Sequence, residues 1–477
     1  MSGARSHVSF FPDTSHLRTD TSPFHKPPPC IRLARHYLGK QADEEILHAD
    51  PHKVAGEPRS SGPQRPPSSG PLNKEVTTSD HLAALLRVTV RASLLALLLS
   101  TLGAGSLGCR RRPPPPQAYV AFIVNHQSST LAAVSLADFR VVASLPVTPQ
   151  PEQIVVRPGH QELYVLSATG KVSVVAYPHP QVIATLNVGR SAQDLQFSPD
   201  GRSAYVADPA DGDVVFLDCE PPARNPTPAQ SGQPGFPIVT SRTHVSGGAS
   251  GLALTPDGKA LVVESGELNR LTFLSTQTRK PLGEVEVGKT PGPLVVLPDN
   301  SKVFVADTGE EKISAVDVAT RKLLSHIEIG TLPTALFVKP DGGEIFVLSA
   351  KSTSLVIVDA FHDNVEQTFP TGREPAMAVF RRDSSILYLA NAGDGSVMVL
   401  DVGNQAVLTS THVGVEPRAL ALTPDERFLV VADSATSSVA ILRADPTSLG
   451  SNRSMLITTV QVGTQPVDVV IPDWLGK

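Results

Sequence analysis

Residues 303–342 read VFVADTGEEKISAVDVATRKLLSHIEIGTLPTALFVKPDG. Four short apolar runs lie in these forty residues: VFVAD, KISAVDV, a run ending in IEIG, and PTALFVKP. Each is rich in Val, Ile or Leu and is bounded by Gly, Pro, Asp or Thr, which is the signature of strands joined by tight turns. The Pro-Asp-Gly at its end suits a turn with a positive φ at the glycine.

The same order recurs on both sides of this unit. Counting from Pro256, the Pro-Asp-like turn returns at Pro298, Pro340, Arg382 and Pro424, at intervals of 42 residues. Further copies stand at Pro158, Pro199 and Pro472, and the longer intervals hold insertions. The strand after the turn has eight copies, beginning near 119, 163, 204, 261, 303, 345, 387 and 429. Four strands in about 42 residues is the repeat of a β-propeller blade. The count predicts an all-β propeller of eight four-stranded antiparallel blades over 119–477, with seven as the alternative. The domain begins with a second-position strand and ends with a first-position one, Pro466–Pro472. The C-terminal strand is therefore predicted to complete the first blade and close the ring, which leaves no open edge.

Blade type follows from the residues at fixed positions. The single Trp, at 474, rules out a repeated Trp-Asp signature, and no Gly doublet with spaced aromatics repeats. The set of YVAD-like strand, SVxVxD-like strand, Val-Gly-x-x-Pro and Pro-Asp-Gly resembles the YVTN family of propeller repeats, the YncE-like proteins. The resemblance implies the fold and little about function. Asp208, Asp307, Asn391 and Asp433, which end the YVAD-like strands, are expected to close turns through their side chains.

The chain before 119 has another character. Residues 1–86 carry clusters such as HKPPPC and SSGPQRPPSSG with no lasting period. They are predicted to be disordered, or an extension upstream of the true start, because such composition buries too little apolar surface to offset ordering entropy. Residues 87–109 contain ASLLALLLSTLGAGSLG, uncharged from Ala92 to Gly108, with Arg87 and Arg91 before it and Cys109 after it. A charged start, a short apolar run and small residues at the end describe an export signal. With Cys109 directly following, it resembles a bacterial lipoprotein signal, which implies lipidation of Cys109 and anchoring to a membrane. A plain cleaved signal and a retained single span are the alternatives. Residues 110–118 include Pro113–Pro116, a stiff spacer. The expected location is the periplasm or outer surface, membrane-anchored.

Composition narrows the function. A net charge of −5 argues against a nucleic-acid partner. Three cysteines cannot build a disulfide framework, and no CxxC, HExxH, GxxxxGK[ST] or GxSxG occurs. No metal site and no cofactor are predicted, and a monomer is expected. The Val-Gly-x-x-Pro loops share one face and bear Arg190, Lys289, Arg373, Glu374, Glu416 and Arg418. These charges are candidates to frame a small anionic or polar ligand at the mouth of the central channel; a solvated rim is the alternative. No catalytic residue is identified. The expectation is a binding or protein-interaction scaffold, with a propeller enzyme of lactonase or lyase type as the alternative.

Overall fold

The computed structural model describes residues 119–221, 236–445 and 455–473. The predicted tail, export signal, Cys109 and Pro-rich spacer lie outside these residues, as does most of each insertion, 222–235 and 446–454. Among the described residues the strands form eight antiparallel sheets of four, each one blade. Blades 2 to 8 are consecutive, within residues 151–187, 194–244, 251–286, 291–328, 335–370, 375–412 and 417–461. Blade 1 combines Val120–Asn125, Thr130–Ser135 and Arg140–Pro146 with the C-terminal strand Pro466–Val470. The eight-blade count and the closure by both chain ends are thus as the repeats predict. Phe122 faces Val470, Ile123 faces Val469 and Val124 faces Asp468 across the seam.

Strand chemistry follows from position in the blade. The second and third strands lie between neighbouring blades on both faces, so their interiors are apolar without alternation. Val303–Ala306 and Ile313–Val316 are wholly buried, and all are apolar except Ser314. Alternate side chains serve different cores, as a period of two requires. Val303, Val305 and Val316 pack with Val262 and Phe273 of blade 4, while Phe304, Ala306 and Ile313 pack with Ile345 and Val347 of blade 6. Each such valine, isoleucine or phenylalanine contributes about 1.5–3 kcal/mol by leaving water. The outer strand has a solvent-facing side, and Lys322–Glu328 alternates exposed and covered residues. In every blade the pairing of third and outer strands slips once at the same place, as between Ala315 and Val316 or Val399 and Leu400. Such a bulge bends the outer strand and increases its twist.

The inner strands surround the axis, each beside the next. One repeat position on them ties blades together across the seam. The Asp468 carboxylate accepts the Ile154 N–H at 2.8 Å, the Gln153 side-chain oxygen accepts the Leu195 N–H at 3.1 Å, and Asp194 accepts the Leu252 N–H at 2.9 Å. The ladder therefore runs from blade 1 to blade 4. The equivalent residues of blades 5 to 8 are Pro293, Ala335, Met377 and Ala419.

Asp468 is fully buried, and burial pushes its carboxyl up to about 7 despite two backbone N–H donors. An unfolded aspartate titrates near 4. Between these values the folded chain holds the proton more tightly, so this group's contribution to stability is full below pH 4 and falls as pH rises toward 7. A displacement of that size corresponds to about 4 kcal/mol. Asp468→Asn removes the titration and keeps an acceptor for Ile154. The unfolding free energy of the parent relative to this variant should therefore drop by several kcal/mol between pH 4 and 8. Parallel urea titrations across that range check the expectation.

Candidate functional site

Two sets of connections meet on one face of the ring: the turns between second and third strands, and the Val-Gly loops that cross from one blade to the next. A buried polar residue stands at the end of each second strand or directly after it, and in several blades it joins the two. Asp208 accepts the N–H groups of Arg190 and Ser191, each at 3.1 Å, and the Ser191 hydroxyl at 3.0 Å. Asp433 accepts the N–H groups of Glu416, Ala435 and Thr436, each at 3.1 Å, and that of Val415. These side chains therefore hold the incoming inter-blade loop as well as their own turn. The glycine of the Val-Gly motif has a steric reason: a Cβ on Gly189 or Gly414 would fall on the carboxylate of Asp208 or Asp433. In blade 5 Asp307 accepts the Ser314 hydroxyl at 2.7 Å, and burial pushes its carboxyl up to about 6. Asn125, Ser167, Ser265, Ser349 and Asn391 occupy the same place in the other blades and are equally buried.

The charged loop residues singled out from the sequence all lie on this face. Arg190 pairs with Asp211, Lys289 with Glu310 at 3.3 Å and Arg373 with Asp394 at 2.6 Å. In each pair the acid lies in the second-to-third-strand turn of the same blade. Arg373 holds the Asp394 carboxyl below its usual range, and Arg190 does the same to Asp211. Arg418 bonds Glu416 through Nε at 3.0 Å. Glu374 is exposed, and its carbonyl accepts the Ala392 N–H at 2.9 Å. The structure brings Glu416 and Arg418 together and leaves Arg190, Lys289 and Arg373 each with a partner of its own blade.

A cleft of about 540 Å³ opens on this face at the seam. Glu416, Ser434, Ala435 and Ser437 of blade 8 line it, with Gln465, His126, Gln127 and Ser129 of blade 1 and Gln150 at the entry to blade 2. Of the earlier candidates only Glu416 belongs to it. His126 is fixed by its ring Nδ1 at 3.2 Å from the Pro151 carbonyl and by its N–H, which donates to the Gln465 carbonyl at 2.9 Å. Next to it, burial raises the Glu152 carboxyl above the usual range, with the His126 charge acting in the opposite sense. The Ser434 hydroxyl donates to the Pro466 carbonyl at 2.6 Å. Four lining residues adopt left-handed backbone: Ser129, Gln150, Ser437 and Gln465, with φ of 53, 52, 56 and 57°. For a residue other than glycine this conformation costs about 1–2 kcal/mol. At the turn position of Ser129 and Ser437, blades 2, 3 and 7 carry Gly170, Gly212 and Gly395. Blade 4 carries Asn269 there, also left-handed at φ 52°, and Thr290 and Glu374 share the left-handed backbone at the position of Gln150 and Gln465, so these turn conformations recur around the ring. Among the described residues no group of three His, Cys, Asp or Glu is placed to hold a metal. Cys219 is a buried free thiol that burial pushes up to about 11, which makes it a poor nucleophile.

Residues 353–469 match a family model described as Lactonase, 7-bladed beta-propeller. The match covers about a quarter of the chain, from the third strand of blade 6 through the closing strand. The ring has eight blades, one more than that description. Among solved structures the chain is similar to dihydro-heme d1 dehydrogenase NirN in complex with DHE, with a TM-score of 0.60 and 14% identity over 76% of this chain and 77% of that one. It is also similar to apo AztD from Citrobacter koseri, with a TM-score of 0.55 and 13% identity over 74% and 98% of the two chains. Such identities establish the propeller fold alone. A comparison with curated proteins gave no match.

The buried latch makes a measurable claim. Asp433→Ala leaves the N–H groups of Val415, Glu416, Ala435 and Thr436 without their acceptor and opens a void beside Gly414. A loss of about 1–3 kcal/mol is expected, since the carboxylate is buried while the donors it serves are only partly so. Asp433→Asn, which retains one acceptor oxygen, should lose less. Urea unfolding of the two variants measures the difference.

Proposed function

We propose that this propeller is a binding module of the cell envelope, of the YVTN repeat type, and that its ligand or partner seats in the cleft at the seam. The observation that carries the reading is the convergence of three blades on one polar concavity at the seam. The charges that would attract a ligand elsewhere on the face are paired with acids of their own blades. The anchor is Cys109, lipid-modified after export, with Pro113–Pro116 as the spacer. No nucleic acid and no cofactor belong to this reading, and the protein acts as a monomer.

A second reading, a lactone hydrolase, draws support from the match over 353–469. Ester hydrolysis needs an activated water or nucleophile and a stabiliser for the oxyanion. In the cleft His126 is turned to a carbonyl and Glu416 to a guanidinium. The binding reading asks less of these residues.

Three measurements separate the readings. A photo-cross-linking amino acid at Gln127 should capture a specific ligand or partner from envelope extracts, and the same group at Asn404 on the opposite face should not; equal capture at both positions contradicts the site. Proton-release assays with γ-butyrolactone and gluconolactone, with and without added divalent metal, should show no turnover, and turnover abolished by His126→Ala would establish the enzyme instead. The intact mass of the protein from its native cells should correspond to a lipid-modified chain starting at Cys109, and an unmodified full-length chain would overturn the envelope reading.

A further inference from the structure

We infer that the seam cleft takes a neutral polyhydroxylated molecule, a saccharide of one or two rings, and that the hydroxyls of Ser129 and Ser437 help to bind it. The inference rests on the reading of this cleft as the binding site and goes further by naming the ligand's chemistry.

The lining decides the class. Gln127, Gln150 and Gln465 each present a primary amide, which both donates and accepts. All three are exposed, and among the described residues no hydrogen bond uses their side chains. The Ser437 hydroxyl is likewise unengaged among these residues, and Ser129 makes one long bond, accepting the Gln150 N–H at 3.4 Å. The site therefore offers many groups able to donate and accept, at a volume within the roughly 300–1,000 Å³ of small-molecule pockets.

The lining also excludes other classes. An anion would meet the Glu416 carboxylate, while the nearby Arg418 is already bonded to it. A metal would need three or four converging ligands. An apolar ligand or a peptide anchored by apolar side chains would find only the Ala435 methyl. Vicinal hydroxyls satisfy what is left: they donate to Glu416 and the amide oxygens, and accept from the amide N–H groups and serine hydroxyls.

The two serines give the test. Glycine at 129 and 437 relieves the backbone and removes two hydroxyls, so stability and binding should move in opposite directions. Isothermal titration of the whole protein with glucose, maltose, cellobiose and diacetylchitobiose should give saturable binding to at least one of them. The Ser129→Gly/Ser437→Gly double variant should bind that sugar at least tenfold more weakly, with a Tm equal to or above the parent's. Ser129→Ala/Ser437→Ala, which keeps the strained backbone, should lose binding without any rise in Tm. Flat titrations with all four sugars overturn the inference, as does binding of citrate or putrescine in their place, affinity unchanged in the glycine variant, or a glycine variant that melts below the parent. If the sugars fail while a group at Gln127 still captures another ligand, the cleft remains the binding site and only the saccharide assignment falls.

Discussion

Every blade of this ring depends on the pairing of Pro466–Val470 with Val120–Asn125. Seven blades are local in sequence and could each form from their own hairpins. The eighth joins residues some 350 positions apart, and without it the sheet of blade 1 would lose its inner strand and expose the edge of Val120–Asn125 to water. The closing strand also brings Asp468 against Ile154, so one short segment completes a sheet, caps a backbone group of the next blade and buries a carboxyl. The polar ladder from Asp468 through Gln153 to Asp194 starts at this junction and has no counterpart at the same position in blades 5 to 8.

Within the blades a second constraint recurs. A buried polar side chain at the end of the second strand holds the loop arriving from the previous blade, and a glycine in that loop gives it room. The two residues are far apart in the chain and complementary in shape. They explain why Val-Gly and the terminal Asp recur together, and they set a rigid floor under the face that carries the cleft. The left-handed turn before the third strand is a further repeated feature, made by Gly170, Gly212 and Gly395 in three blades and by Ser129, Asn269 and Ser437 in three others.

The fold was legible because its determinants are periodic: intervals of 42 residues, an apolar second and third strand, and a terminal strand without a local partner. The electrostatics of the loop face were only half legible. Arg190, Lys289 and Arg373 could be assigned to one face from their place in the repeat. That Asp211, Glu310 and Asp394 sit opposite them depends on how each turn folds back over its own loop, which spacing does not encode. The cleft was not legible at all. Its walls come from Glu416, Gln465, His126 and Gln150, contributed by three blades, two of which become neighbours only when the chain ends meet.

The bulge repeated in all eight blades also limits how this molecule can meet others. An outer strand that stayed flat would present a row of backbone donors and acceptors on which another chain could add a strand, at eight equivalent places around the rim. The slip between residues such as Ala315 and Val316 breaks that row, and charged side chains such as Lys322 and Glu328 flank it. Recognition by strand addition is thereby discouraged around the circumference. The differences between blades lie instead in the connections at the two ends of the axis, where loop length and charge vary from one repeat to the next.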